Sequence, residues 1–134
     1  MILKEIKQFL EKNSYRGVVI DNFKAIVNND YGNKAQICID SGTDSQLDRK
    51  FVYERIRIIV KGDANLSTTA YEVSNNIIEL FEKQNGGRLV ENGIQFARIN
   101  IIQRNNHLTF QGNDTTNLYA STYQFNYKKN NFQF

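Results

Sequence analysis

Few residues in this chain could do chemistry. Among its 134 residues there is one histidine, His107, and one cysteine, Cys38. A zinc site needs several His, Cys or carboxylate ligands at close spacing, and nucleophilic catalysis needs a nucleophile, a base and an orienting acid. His107 has no such partners near it in the sequence, which favours a surface or edge-strand position. A glycine-rich phosphate-binding loop is also missing, so we expect no metal and no cofactor.

Paired carboxylates are the one catalytic arrangement that the sequence leaves open. The acidic side chains that could form such a pair fall on one polar segment and on one helical segment: Asp40, Asp44 and Asp48, and Glu72, Glu79 and Glu82. Two carboxyl groups at a suitable separation can hydrolyse a glycosidic bond. Acidic residues on loops and outer helix faces are usually only solvated. We therefore expect a protein that is not an enzyme, and we keep catalysis as the last of three hypotheses.

The basic residues are spread along the chain. Seventeen Lys and Arg against fourteen Asp and Glu give a net charge of +3. The main local group of basic residues is Arg49, Lys50, Arg55, Arg57 and Lys61. This pattern is typical of the solvated face of a sheet, because dedicated nucleic-acid-binding proteins gather more positive charge on one face. A phosphate contact is the alternative interpretation.

Cys38 and the first residues indicate the compartment. A single cysteine excludes an intramolecular disulfide and favours a cytosolic or intravirion protein over a secreted one. Cys38 lies in a short apolar run with Ile37 and Ile39, which is typical of a buried, inert thiol. Charged residues such as Lys4 and Glu5 interrupt the apolar N-terminal residues, so we expect neither a signal peptide nor a membrane-spanning segment.

The clearest elements are a strand over residues 51–60 and a helix over 65–84. In the strand, apolar side chains alternate with Tyr53, Arg55 and Arg57, and only Glu54 interrupts the apolar row. A period of two with one polar face is typical of a half-buried strand. In the helix, apolar residues recur every three or four positions and form one stripe. This pair of elements predicts a helix packed on a sheet.

The remaining patterns complete an α+β fold. They predict a helix over residues 2–12, a strand over 35–40, a polar loop over 41–48, and strands over 94–103 and 118–127. The phase of the alternation changes near Ala97 and Arg98, which predicts either a bulge or a strand that is buried on both faces. The last strand carries an aromatic stripe, for which core packing, a protein interface and base stacking are all open. We expect one domain over residues 1–129 with a mainly antiparallel sheet, an N-terminal helix and one long amphipathic helix. Residues 130–134 are expected to form a flexible tail.

The strand over residues 53–63, the helical segments 68–72 and 77–81, and the closing strand 118–127 resemble one known group of proteins. These are the minor capsid and tail-terminator (tail-completion) proteins of tailed bacteriophages. The shared features are hydrophobic patterns: an alternating strand that ends at glycine, then a helix with small residues near its start and apolar residues near its end. The leading helix and the chain length also fit.

The resemblance implies a structural virion protein without catalytic activity. Such proteins form homo-oligomeric rings, commonly of six copies, at the head–tail junction, where they contact tail-tube and neck proteins. The chain would then be assembled in the bacterial host cytoplasm and reside in the virion. The candidate interface residues lie on the polar face of the strand and around the polar segment: Tyr53, Arg55, Arg57, Asp44, Asp48 and Arg49. Arg55 and Arg57 could instead line the lumen and contact DNA non-specifically.

The second hypothesis is a small nucleic-acid-associated module that uses the basic face of this strand together with tyrosines. A salt-dependent mobility shift with DNA would distinguish it from a ring-forming structural protein, because phosphate contacts weaken steeply as salt rises.

Overall fold

A computed structural model describes residues 3–22, 36–47, 51–63, 67–84, 96–109 and 116–128. The helices and strands of these residues are α1 (Leu3–Lys12), β1 (Val19–Ile20), β2 (Gln36–Leu47), β3 (Phe51–Asp63), α2 (Ser67–Lys83), β4 (Phe96–Thr109) and β5 (Thr116–Lys128). The predicted α+β class, with an N-terminal helix and a long second helix, is confirmed. The predicted tail over residues 130–134 lies outside the described residues.

The strands form one sheet in the order β1-β2-β3-β5-β4. The pairs β2/β3, β3/β5 and β5/β4 are antiparallel, whereas the short β1 is parallel to β2. Helix α2 follows β3 and precedes β4, and β5 lies between these two strands. The connection from β3 to β4 therefore passes over the position of β5, and α2, which is part of this connection, lies across the face of the sheet.

Both helices cover the same face of the sheet. Helix α1 buries Ile6, Phe9 and Leu10, and α2 buries Ala70, Ile77, Ile78 and Phe81. They pack against buried strand residues on that face, which include Ile39, Ile56, Ile58, Val60, Tyr123 and Phe125. Two helices with apolar stripes and strands of period two bury their apolar faces together only in this layered arrangement. The predicted faces of residues 51–60 and 118–127 are confirmed wherever their side chains are described.

Phe81 lies at the centre of this core. Its ring centroid is 5.3 Å from that of Phe9, 5.2 Å from that of Tyr123 and 5.5 Å from that of Phe125. The tilted and edge-on geometries are those that aromatic rings prefer, because the ring edge is positive and the face is negative. Phe81 therefore joins both helices to β5.

The prediction of a loop over the polar segment 41–48 is wrong as far as Leu47. Strand β2 continues to Leu47, and its pairing with β3 shifts register between Ser41 and Ser45. The backbone of β3 supplies the hydrogen bonds that a polar segment needs to be a strand, and hydropathy does not detect such a partner. Asp44 lies within this shift, where its side chain is not described, and Asp48 and Arg49 lie outside the described residues.

Of the two explanations for the phase change near Arg98, a bulge or burial on both faces, the structure has the bulge. The pairing of β4 with β5 shifts register between Phe96 and Arg98, and again between Ile101 and Gln103 and between Gln103 and Asn106. Asn105 lies within the last shift with φ 47°. A positive φ of this size is tolerated by Asn better than by most residues, because its short polar side chain bonds locally.

Asn105 joins β4 to α2 and β5 through a polar cluster. Its backbone N–H donates to Ser121 Oγ at 3.0 Å, and its Nδ2 donates to Asn75 Oδ1 at 2.5 Å. Ser74 Oγ donates to Asn105 Oδ1 at 2.5 Å and lies 3.3 Å from Ser121 Oγ. Ser74 and Ser121 are buried, so these contacts satisfy polar atoms inside the core. No sequence pattern predicts this cluster.

A residue in the left-handed backbone conformation follows the end of helix α1. Tyr15 N donates to Leu10 O at 3.0 Å and Ser14 N donates to Glu11 O at 3.3 Å. This pair of bonds is the Schellman arrangement, in which the residue after the cap adopts positive φ and is usually glycine. Here that residue is Ser14, with φ 75°.

Replacing Ser14 by glycine should stabilise the protein. Glycine removes the steric cost of positive φ, about 1–2 kcal/mol, and loses part of that gain through greater freedom in the unfolded chain. We expect the free energy of unfolding to rise by about 0.5–1 kcal/mol in urea titrations. Ser14→Ala keeps the Cβ and is the control. If alanine stabilised the protein as much as glycine, the backbone explanation would be wrong.

Candidate interface on the polar face of the sheet

The face of the sheet opposite to the helices is polar over one half. Tyr53, Arg55 and Arg57 of β3 point to this side, as the alternation predicts, and their neighbours on β2, β5 and β4 share it. We call this surface the polar face, and its members are Asp40, Tyr53, Arg55, Arg57, Arg98, Asn100, Thr122, Gln124 and Asn126. The structure thus brings three of the six predicted interface residues together.

Arg57 is held by an ion pair. It lies directly opposite Asp40 in the antiparallel register of β2 and β3, and its Nη2 donates to Asp40 Oδ2. The Asp40 side chain is 9% exposed, whereas that of Arg57 is 35% exposed. Asp40 is therefore a paired carboxylate and its role is to position Arg57. In the sequence Asp40 is only a candidate acid, and no local pattern predicts this partner.

Arg55 is more exposed to solvent than Arg57. It is exposed, and its Nε donates to Gln124 Oε1 at 3.5 Å. Gln124 Nε2 in turn donates to Asn126 Oδ1 at 3.3 Å. Gln124 therefore contacts Arg55 at its Nε and links it to Asn126. No ion pair to Arg55 occurs among the described residues.

Arg98 extends the polar face onto β4. Arg98 is exposed. It pairs with Asn126 of β5, and Asn126 pairs in turn with Tyr53 of β3. The described part of the polar face therefore carries three arginines against Asp40. Arg98 could not be predicted as a member of the polar face, because the bulge before it decides which side of the sheet it faces.

The other half of this side of the sheet is apolar and buried. Cys38, Ile59 and Leu118 are 0% exposed and Ala120 is 5% exposed. Burial raises the pKa of the Cys38 thiol from 9.0 to about 12, with Lys61 lowering it and Asp21 raising it. Since only the thiolate is a nucleophile, Cys38 is unreactive at neutral pH. The predicted burial of Cys38 is confirmed.

The aromatic stripe of β5 belongs mainly to the core. Tyr123 and Phe125 are fully buried, and burial is the main cause that raises the pKa of Tyr123, with Arg104 opposing it. Tyr119 is partly buried, and its ring stacks on that of His107 at 4.7 Å and lies 5.5 Å from that of Tyr71. His107 is exposed on the outermost strand β4, as predicted for an edge-strand residue.

The candidate carboxylates whose side chains are described lie on opposite sides of the sheet. Asp40 belongs to the polar face, whereas α2 covers the other face. On α2, Glu82 accepts a bond from Arg104 Nη2 at 2.7 Å, and Glu79 lines an open depression of about 260 Å³ with Tyr15 and Lys83. Partial burial, and then Glu79, raise the pKa of Tyr15. The structure does not bring Asp40 to these glutamates.

Among the described residues, no group of three or more His, Cys, Asp or Glu side chains is placed to hold a metal ion. Neither α1 nor α2 is long and apolar enough to cross a membrane.

Comparison with known proteins adds no assignment. No protein-family model matches the chain, and no curated protein matches its sequence.

Proposed function

We propose that this chain is a structural virion protein, a tail terminator or related minor capsid component that forms a ring at the head–tail junction of a tailed phage. The observation that carries the proposal is the placement of the segments that resemble such proteins. They fall on β3, α2 and β5. Strands β3 and β5 pair along their whole lengths, from Phe51 with Lys128 to Asp63 with Thr116, and α2 contacts both. The resemblance therefore covers one contiguous structural unit.

The polar face supplies the second support. A ring of identical subunits needs a surface that contacts a different surface on the next copy. Tyr and Arg are enriched in protein interfaces, and Tyr53, Arg55 and Arg98 lie together on a sheet face that no described helix covers. In this proposal the protein acts by presenting surfaces to copies of itself and to tail-tube and neck proteins, with no reaction and no cofactor.

The first test is the mass and shape of the purified chain. We expect light scattering to report an integer multiple of the 15.6 kDa protomer, about 94 kDa for six copies, and negative-stain images to show annular particles. Some ring proteins close only on their partner, so the same measurements should be repeated with tail tubes. A protein that stays monomeric alone and does not bind tail-tube ends would contradict the proposal.

A charge reversal tests the polar face. Arg55→Glu with Arg57→Glu should abolish rings or tail attachment, because both substitutions put negative charge into the proposed interface. Arg57 also holds Asp40, so Arg55→Glu alone should be measured beside the double variant. Lys4→Glu with Arg16→Glu changes two exposed basic residues outside the polar face and is the charge-matched control. Unchanged assembly in the polar-face variants would remove these residues from the interface.

A nucleic-acid-associated module is the second candidate function. The observation that favours it is the convergence of Arg55, Arg57 and Arg98 on one sheet face. If it is correct, affinity for DNA should fall by about tenfold or more between 50 and 200 mM salt, because each phosphate contact releases counterions. If no mobility shift with DNA occurs at low salt, this candidate function is excluded.

A further inference from the structure

The outer side of α2 carries two acidic residues that form no ion pair within the described chain. Glu72 and Glu79 are exposed and lie on the side of the helix away from the buried Ala70, Ile77 and Phe81. No ion pair to either glutamate occurs among the described residues, whereas Glu82 on the flank is paired with Arg104. A helix rises 1.5 Å per residue, so the seven residues between Glu72 and Glu79 correspond to about 10.5 Å.

The polar face carries a matching pair of basic residues. Arg55 and Arg98 are exposed, and neither has an ion-pair partner among the described residues. They lie on β3 and β4, which are separated by β5, and they are offset by two residues along the strands. Two strand spacings and a two-residue offset place their Cα atoms about 12 Å apart. This separation is close to that of Glu72 and Glu79.

We infer that the polar face of one copy docks on the outer side of α2 of a second copy, with Arg55 and Arg98 opposite Glu72 and Glu79. This inference rests on the proposed function, and it names the two surfaces that meet in the ring. The surfaces lie on opposite sides of the protomer, since α2 covers the sheet face that the polar face does not. The contact is therefore heterologous, and it generates a ring when the rotation from one copy to the next closes.

Charge complementarity is the physical basis of the contact. Opposite charges that meet across an interface speed association and fix register, while like charges in the same place are strongly unfavourable. Tyr53 on the polar face and Tyr71, which is 39% exposed on α2, provide amphipathic area beside the charges. Lys83, one turn beyond Glu79, marks the end of the acidic row.

Reciprocal charge reversal tests this pairing. The sheet variant is Arg55→Glu with Arg98→Glu, and the helix variant is Glu72→Arg with Glu79→Arg. All four positions are exposed, so circular dichroism and thermal unfolding should show folded proteins. Each variant alone should self-associate at least about tenfold more weakly than the unmodified chain, because it sets like charges against each other.

Mixing the two variants gives the decisive result. In an equimolar mixture, the acidic sheet of one variant meets the basic helix of the other, and the unmodified sheet and helix also match. The mixture should therefore assemble, as should a chain that carries all four substitutions. Sedimentation velocity at low salt measures both. Charged residues outside the two surfaces, Lys4 and Arg16, provide the control substitutions.

Several outcomes would overturn the inference. Loss of assembly in the sheet variant with normal assembly in the helix variant would show that the polar face meets another surface. Failure of the mixture and of the fourfold variant to assemble would show that the two surfaces do not pair. A monomeric unmodified chain would also overturn it. Binding to tail-tube ends is a separate readout, so the proposed function can survive or fail independently of this contact.

Discussion

Replacing Phe81 by alanine is expected to lower the free energy of unfolding by about 3–5 kcal/mol. The side chain is fully buried, and its ring contacts those of Phe9, Tyr123 and Phe125. Alanine leaves a cavity where α1, α2 and β5 meet, and a close-packed core cannot fill it completely. Small domains have only about 5–15 kcal/mol of total stability, so a large part of the protein should be unfolded at 37 °C. Urea titration followed by circular dichroism measures the loss.

Two further substitutions make this prediction specific. Phe81→Leu keeps most of the buried volume and should cost much less than alanine. Lys83→Ala, two residues along the same helix but exposed, should change stability by about 0.5 kcal/mol or less. A loss of under 1 kcal/mol for Phe81→Ala would mean that this ring does not lie at the junction of the helices and the sheet.

Asn105→Ala should produce the second largest loss, about 2–4 kcal/mol. Two effects add. The substitution removes the side-chain bonds to Asn75 and Ser74 and leaves the buried hydroxyl group of Ser74 with one partner fewer. It also forces a residue with a Cβ and no polar group to keep φ near 47°. The measurement is again the free energy of unfolding, with the denaturant slope checked for two-state behaviour.

Asn105→Gly separates the two effects. Glycine loses the same hydrogen bonds but tolerates positive φ, so it should be less destabilising than alanine by about 1 kcal/mol. Asn106→Ala, at the next position, is the control and should have a small effect. Equal losses for glycine and alanine would show that backbone strain contributes nothing at this position.

Local patterns predict the helices and the faces of the central strands. Residues 51–60 alternate with period two, and the two helices have apolar stripes of period 3.6, so the side of each element that faces the core follows from spacing alone. The bulge near Arg98 is also detectable, because it changes the phase of the alternation. These features depend on neighbours close in sequence, and the structure has them as predicted.

Pairing between distant segments is not encoded in such patterns. Leu47 pairs with Val52, and a regular hairpin continuing from that pair would put Asp40 opposite Ile59. The shift between Ser41 and Ser45 moves the register by two residues and sets Asp40 opposite Arg57. A shift of two keeps every side chain on its own face. Hydropathy is therefore the same for both registers, and the ion pair that positions Arg57 could not be derived from it.

The Asn105 cluster is unpredictable for the same reason. Ser74, Asn105 and Ser121 are far apart in the sequence, and each is a residue type that usually lies in contact with solvent. Their burial follows from the crossing of α2 over β4 and β5. The candidate interface could likewise be predicted only in part. The alternation along β3 places Tyr53, Arg55 and Arg57 on one face. Arg98 and Asp40 lie beside them only because of strand pairing.

The interruptions of β4 have a consequence for aggregation at the edge of the described sheet. Strand β4 has 14 residues and is the last strand of the described sheet. A straight ribbon of that length could recruit the same segment from another molecule and grow into insoluble cross-β stacks. Its register is broken at three places, and such irregularities bend and twist an edge strand, which disfavours this growth.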